Sequence, residues 1–213
     1  MDKKVTALLI RAKDMRDYDK SVHIFSANEG MLVATMRGVR RPTAKMKFAC
    51  QPFAFCEYEL AEKNGNYTVT GACTVGDLFP LTQTPEKFFA GSVVTEIVEC
   101  TALDSDSATL FIVALKTLKA ILMNNGDYAL ILAKFVQKVL SINGVLPPLT
   151  TPTKADGPQT LLYQIARLTM DEVTRLHPVA AHSRQALRQM VTVFERAFEV
   201  KLKTVKSFFE ILR

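Results

Sequence analysis

The chain has 213 residues, 48% of them hydrophobic, which is enough apolar material for one large domain or two small ones. Its 27 Lys and Arg outnumber 21 Asp and Glu, and a net charge of +6 favours an anionic partner. No run of 18 apolar residues occurs, and Met1-Asp2-Lys3-Lys4 leads into no signal-type apolar segment, so the expectation is a reduced, cytoplasmic protein without a membrane span.

The first 76 residues have strand character. Residues 5–11 and 21–27 are apolar and β-permissive, separated by the charged turn Lys13-Asp14-Met15-Arg16-Asp17-Tyr18-Asp19-Lys20. Asn28-Glu29-Gly30 is a turn, and residues 31–37 form a third strand. There follows Arg37-Gly38-Val39-Arg40-Arg41-Pro42-Thr43-Ala44-Lys45-Met46-Lys47, with five cations and no acid. Gly38 and Pro42 disfavour a helix across it, so it reads as a basic loop leaving a sheet. Residues 53–60 and 67–75 are two more strands around the hairpin signal Lys63-Asn64-Gly65-Asn66, with Tyr67, Val69, Gly71, Cys73 and Val75 on one face of the last. Five short strands in this length match a small barrel, for which the OB-fold is the leading candidate.

The texture changes near Leu78-Phe79-Pro80. Thr84-Pro85-Glu86 starts a helix running to about residue 103, Asp104 to Ser107 caps a second, and Asp127 caps a third that ends at Gly144. Residues 145–158 hold four prolines among threonines and read as a loop. Pro158 opens a fourth helix, Pro178 a long fifth to about residue 201, and a short sixth carries Val205, Phe208, Phe209 and Leu212. The expected class is α+β: an OB-fold barrel over residues 1–78, then an all-helical domain over 79–213.

Enzyme signatures are missing: no dinucleotide or phosphate-binding glycine loop and no nucleophile elbow occurs. His177 and His182 have a poor spacing for a metal, and Asp104 with Asp106 sits where helix caps are expected. Cys50, Cys56, Cys73 and Cys100 form no Cys-x-x-Cys pair, and each lies in an apolar run, which suggests buried thiols. No cofactor, metal or catalytic residue is expected.

The cations carry more. Residues 1–76 hold 12 Lys and Arg against 8 acids, residues 77–150 hold 5 against 7, and residues 151–213 hold 10 against 6. Lys13 and Arg16 in the first turn, with Arg37, Arg40, Arg41, Lys45 and Lys47 in the basic loop, are candidate phosphate ligands, since such contacts need charge and not base reading. Phe53, Phe55 and Tyr67 could stack bases or fill the barrel interior. Lys203 and Lys206, with Lys201, are either a further nucleic-acid contact or a solvated helix C-terminus. On the middle helices, Lys116, Lys119, Lys134 and Lys138 are cations among apolar residues, and Ile131 and Phe135 could line a groove beside the last two.

The order of these pieces resembles the bacterial RecO family of recombination mediators and DNA-repair proteins. The likeness rests on Thr6-Ala7-Leu8-Leu9-Ile10-Arg11 with Asp17-Tyr18-Asp19-Lys20-Ser21, on Phe25-Ser26-Ala27-Asn28-Glu29-Gly30-Met31-Leu32, on Arg37-Gly38-Val39-Arg40-Arg41-Pro42 continuing to Gln51-Pro52-Phe53, and on Leu202-Lys203-Thr204-Val205-Lys206-Ser207-Phe208-Phe209. Many members carry a four-cysteine zinc module where this chain has residues 145–158 without cysteine, so no metal role carries over. The resemblance implies a non-enzymatic, nucleoid-associated protein that binds single- and double-stranded DNA and anneals complementary strands. It implies contact with RecR and with the acidic C-terminal tail of the single-stranded-DNA-binding protein, for which Lys116, Lys119, Ile131, Lys134, Phe135 and Lys138 are the candidate groove, and help in loading the RecA recombinase. An RNA-binding OB-fold protein of translation or RNA decay would share barrel and charge. A hydrolase or transferase with an irregular site in the helical part is the rival from another class.

Overall fold

A computed structural model describes residues 2–103, 105–149, 151–152 and 157–212, with Asp2 described by its backbone only. Asp104, and residues 150 and 153–156 of the proline-rich loop, lie outside the described residues. The chain divides into two compact units, Met1–Thr82 and Gln83–Arg213.

The first unit is a closed barrel of β1 (Asp2–Asp14), β2 (Lys20–Ser26), β3 (Gly30–Met36), β4 (Phe55–Lys63) and β5 (Asn66–Gly76), in the order β1-β2-β3-β5-β4. It is the OB-fold. The long first strand serves two neighbours. Its start pairs with β4 from Asp2↔Ala61 to Leu8↔Phe55, and its end pairs with β2 from Leu8↔Phe25 to Asp14↔Lys20. A register shift between Leu9 and Arg11 lets the strand bend between the two, as a bulge does. Two parallel pairs, Ala34↔Tyr67 and Thr35↔Thr68, close the barrel. Val5, Ala7, Leu9, Val22, Ile24, Ala34, Met36, Tyr58, Leu60 and Val69 fill the interior.

The last strand departs from strict alternation. A second register shift, where Glu59 pairs with Gly71 but Leu60 with Val69, moves the chain beyond Thr70 by one residue. A one-residue slip exchanges faces. So Val69 and Ala72 pack on the core while Cys73 and Val75 stand in solvent, and Cys73 is an exposed thiol, not a buried one.

The second unit comprises α1 (Pro85–Thr101), α2 (Ser107–Met123), α3 (Tyr128–Ile142), α4 (Pro158–Arg167), α5 (Met170–Val173), α6 (Ala180–Ala197) and α7 (Lys203–Ile211). Caps set the first three starts: Thr84, Asp106 and Asp127 each accept a backbone N–H in the first turn. The short α5, absent from the sequence expectation of six helices, is nucleated by a reciprocal capping box between Thr169 and Glu172. The long helix starts at Ala180 and stops at Ala197, inside the expected limits. The central helix is α3, which packs against α1, α2, α4, α5 and α6 and is buried continuously from Ala129 to Gln137. That stretch is enclosed, and α3 reaches solvent at Lys138 and Ser141.

Candidate nucleic-acid interface

Two basic segments distant in sequence meet at one corner of the barrel. The turn between β1 and β2 places Asp17 at φ +53°, and the chain leaving β3 turns at Gly38 with φ +62°, a conformation glycine adopts without strain. The two turns are then joined by hydrogen bonds. The Gly38 N–H donates to Asp19 Oδ1 at 2.6 Å, the Arg40 N–H to the Tyr18 carbonyl at 2.9 Å, and Arg40 Nη1 to the Asp17 carbonyl at 3.1 Å. The Arg41 guanidinium lies 5.5 Å from the Tyr18 ring centroid, a cation–π contact. Below the loop, the buried phenol of Tyr58 donates to the Ala49 carbonyl at 2.8 Å and fixes its exit, while Lys47 Nζ donates to the Pro42 carbonyl at 2.8 Å. Burial drives the Tyr58 phenol far above its ordinary value, so it stays a donor at any ordinary pH.

The corner gathers Lys13, Arg16, Lys20, Arg37, Arg40, Arg41, Lys45 and Lys47 against three carboxylates, Asp14, Asp17 and Asp19. Some of this charge is already engaged: Asp14 lies 3.1 Å from Lys20 Nζ and 3.4 Å from Arg40 Nε. Lys13, Arg16, Arg37, Arg41 and Lys45 are exposed and have no ion-pair partner among the described residues. They are the charges left for a polyanion.

The strand register extends this corner across the sheet. Arg11 faces His23, which faces Val33, and Lys13 faces Ser21, which faces Thr35, on the outer surface of β1, β2 and β3. Sequence alone misses Arg11 and His23, because the shift after Leu9 decides which residues of β1 point outward. It also leaves open whether Phe53, Phe55 and Tyr67 stack bases or fill the interior. Phe53 and Phe55 are buried, and Tyr67 has the Lys3 ammonium 4.7 Å from its ring centroid. The aromatic rings exposed beside the basic loop are Tyr18, 50% exposed, and Phe48, 39% exposed. Tyr18 was legible: an aromatic in the middle of a charged turn has no core to fill.

The helical unit separates its lysines. Lys116 and Lys119 are exposed on α2, and Lys138 is exposed on α3. Lys134 is only 9% exposed, and its Nζ donates to the Ile165 carbonyl at 2.6 Å and the Ala166 carbonyl at 3.4 Å, at the end of α4. Burial, with the charge of Lys138 adding to it, lowers its pKa. Ile131 and Phe135 are fully enclosed. The expected groove of Ile131, Lys134, Phe135 and Lys138 therefore does not form, because α3 is central. An exposed stripe exists instead on α2, where Ile112, Lys116, Lys119 and Met123 follow one another at helical spacing, with Met123 85% exposed. Lys116, Lys119, Ala120 and Met123 form one wall of a cleft of about 270 Å³, with Asp171 and Thr174 opposite.

Lys203 stands at the first position of α7, not at a helix C-terminus. There a cation opposes the helix dipole. Two acids offset it: Glu96 of α1 accepts the N–H groups of Lys203 and Thr204 at 2.9 Å each, and Glu195 accepts Leu202 N–H at 2.9 Å and pairs with Lys201 at 2.8 Å.

Residues 1–76 match the family described as Recombination protein O N terminal. Curated relatives named DNA repair protein RecO include those of Pelotomaculum thermopropionicum, 28% identical over 156 residues, Desulforamulus reducens, 24% over 148, and Heliobacterium modesticaldum, 26% over 147. These matches cover 72%, 69% and 69% of this chain but 60%, 57% and 53% of the relatives, so the chain spans little more than half their length. With its barrel topology and its match over residues 1–76, the chain is similar to the RecO proteins in its first unit.

Proposed function

We propose that this chain is a DNA-binding protein of recombinational repair, whose barrel domain, residues 1–78, holds DNA by its phosphates. The observation that carries the reading is the hydrogen-bonded seam between the two turns, Asp19 to Gly38 and Tyr18 to Arg40, which holds two sets of cations on one corner. A loop ordered before binding loses less entropy on binding. Phosphate contacts alone give affinity without sequence preference, which suits a protein that must act on any damaged sequence. Tyr18 and Phe48 supply stacking surfaces for unpaired bases, so both single and double strands are substrates. The shared name of the relatives, DNA repair protein RecO, points the same way.

The protein acts by binding and not by turnover. It anneals complementary strands and helps load the RecA recombinase onto strands coated by their binding protein, together with RecR. The helical domain, residues 79–213, receives the acidic tail of that binding protein on the α2 stripe, where Lys116 and Lys119 meet the acids and Met123 with Ile112 the apolar end. The test replaces Arg37, Arg41 and Lys45 by Ala. DNA binding of every sequence should weaken alike, and the slope of log K against log salt should shrink by about 3, one per lost phosphate contact. An unchanged slope overturns the assignment of the corner, and tighter binding of RNA than DNA in the same titration moves the chain to RNA metabolism.

A further inference from the structure

The helical unit has a second cationic surface, independent of the barrel. Arg184 and Arg188, one turn apart on α6, face Lys206, Phe209 and Glu210 of α7 across an open groove of about 480 Å³. That volume lies within the roughly 300–1,000 Å³ of small-molecule sites. The groove is held in shape from both helices. Arg184 Nη1 donates to the Leu212 carbonyl at 3.3 Å, which satisfies the end of α7, and the Arg188 guanidinium lies 4.8 Å from the Phe209 ring centroid. The other end of α7 is fastened by Glu96 and Glu195. So Glu96 and Glu195 are spent on its N-terminus, and the groove keeps three cations beside one carboxylate, Glu210. Among the described residues no carboxylate lies within ion-pair distance of Arg184, Arg188 or Lys206.

We propose that this groove binds a nucleic-acid strand, with phosphates on Arg184, Arg188 and Lys206 and a base on the ledge made by Phe209 and Arg188. Guanidinium planes and aromatic rings are the surfaces on which unpaired bases stack, and their pairing here makes a flat polar-edged ledge, not the dry pocket that a bulky apolar peptide end needs. The inference rests on the reading of the chain as a DNA-binding protein and deepens it. A phosphate-binding surface on each unit gives one chain two places for two strands, which is what annealing needs.

The absence of tryptophan from the chain supplies the test. Phe209→Trp places the sole tryptophan in the groove, and its emission reports stacking by an unlabelled oligothymidylate. Anisotropy of a labelled copy reports binding anywhere on the protein. The expected result is quenching that persists when Arg37, Arg41 and Lys45 are replaced by Ala. It is lost when Arg188→Glu and Lys206→Glu are added, with the slope of overall binding against salt shrinking by about 2. Circular dichroism of each variant verifies folding. Emission that stays constant while anisotropy shows the oligonucleotide bound overturns the groove site alone. Quenching by an acidic peptide ending in phenylalanine, without quenching by the oligonucleotide, also overturns it and makes the groove a peptide site. No anisotropy change with any DNA overturns the DNA-binding reading itself, and this site with it.

Discussion

The cations of the barrel corner and the lysines of α3 differ in what holds them. Arg41 and Lys45 project from a loop whose backbone is fastened at its entrance by Asp19 and Tyr18 and at its exit by Tyr58, so the side chains stay in water. Lys134 sits in the enclosed stretch of α3, and its ammonium turns inward to the carbonyls that end α4. Cationic side chains are left in water in one region and spent on internal hydrogen bonds in the other. What decides between them is whether the backbone beneath is on the surface, which a pattern of Lys and apolar residues does not state.

The largest expected effect breaks this comparison at Lys134. Lys134→Glu would point a buried carboxylate at carbonyl oxygens and should destabilise the protein by about 3–5 kcal/mol, read as a fall in the denaturation midpoint. Lys138→Glu, on the exposed side of α3, should stay within about 0.5 kcal/mol. Lys116→Glu with Lys119→Glu should be equally mild, and that pair is the one to alter when testing partner-tail binding. If Lys134→Glu is as harmless as Lys138→Glu, α3 is not central.

Next comes the loop's exit. Tyr58→Phe keeps the ring in the core but leaves the Ala49 carbonyl without its donor, a loss of about 1–3 kcal/mol. The salt dependence of DNA binding should be unchanged, because no phosphate ligand is removed. A changed slope with unchanged stability would mean that Tyr58 positions the cations and not the fold.

Part of this was legible in the sequence and part was not. The barrel, the caps at Thr84, Asp106 and Asp127 and the basic loop follow from local signals: alternation, hydroxyl or acid before an apolar run, glycine and proline. The capping box at Thr169 and Glu172 was equally written there and was the missed signal for α5. Facing along β5 was not legible, because the shift at Thr70 comes from pairing with β4 and leaves no local mark. Nor was the convergence of Asp19 with Gly38, nineteen residues apart, which depends on β2 and β3 being a tight antiparallel pair. For the site, the cations were visible as residue types; their sorting into exposed, paired and buried was not. That sorting follows tertiary contacts such as Asp14 with Arg40 and Lys134 with Ile165.

A smaller effect sharpens the account of Lys134 through pH. Its pKa in the folded protein is lowered from 10.5, by burial first and by Lys138 second. Below the lowered value the lysine is protonated in folded and unfolded chains alike, and the cost of burying the charge is fully present. Between that value and 10.5 the unfolded chain holds the proton and the folded chain releases it, so stability rises with pH across that window. The difference in unfolding free energy between wild type and Lys134→Met, followed by urea melts from neutral pH to the window, should grow in favour of wild type. A difference that is flat with pH would show that Lys134 keeps an ordinary pKa and reaches solvent.

The smallest effect discriminates charge from geometry at the barrel corner. Asp19 is an acid beside a basic loop, so charge alone says that any neutral replacement tightens DNA binding. It is also the acceptor for the Gly38 N–H, at 2.6 Å, where the chain turns at φ +62° into the basic segment. Asp19→Asn removes the charge and retains an oxygen for that bond. Asp19→Ala removes both, leaving the two turns joined, among the described residues, through Arg40 and the Tyr18 ring. One neutral hydrogen bond contributes about 0.5–1.5 kcal/mol, similar to the gain from deleting one partly exposed carboxylate. The expected order of DNA affinity is therefore Asn above wild type and wild type at or above Ala, with Asn and Ala separated by about 1 kcal/mol, roughly fivefold in Kd. Anisotropy titrations of the three proteins in one buffer decide it. Equal tightening by Asn and Ala would mean that the cations need no seam to act together, and that the corner works by charge density alone.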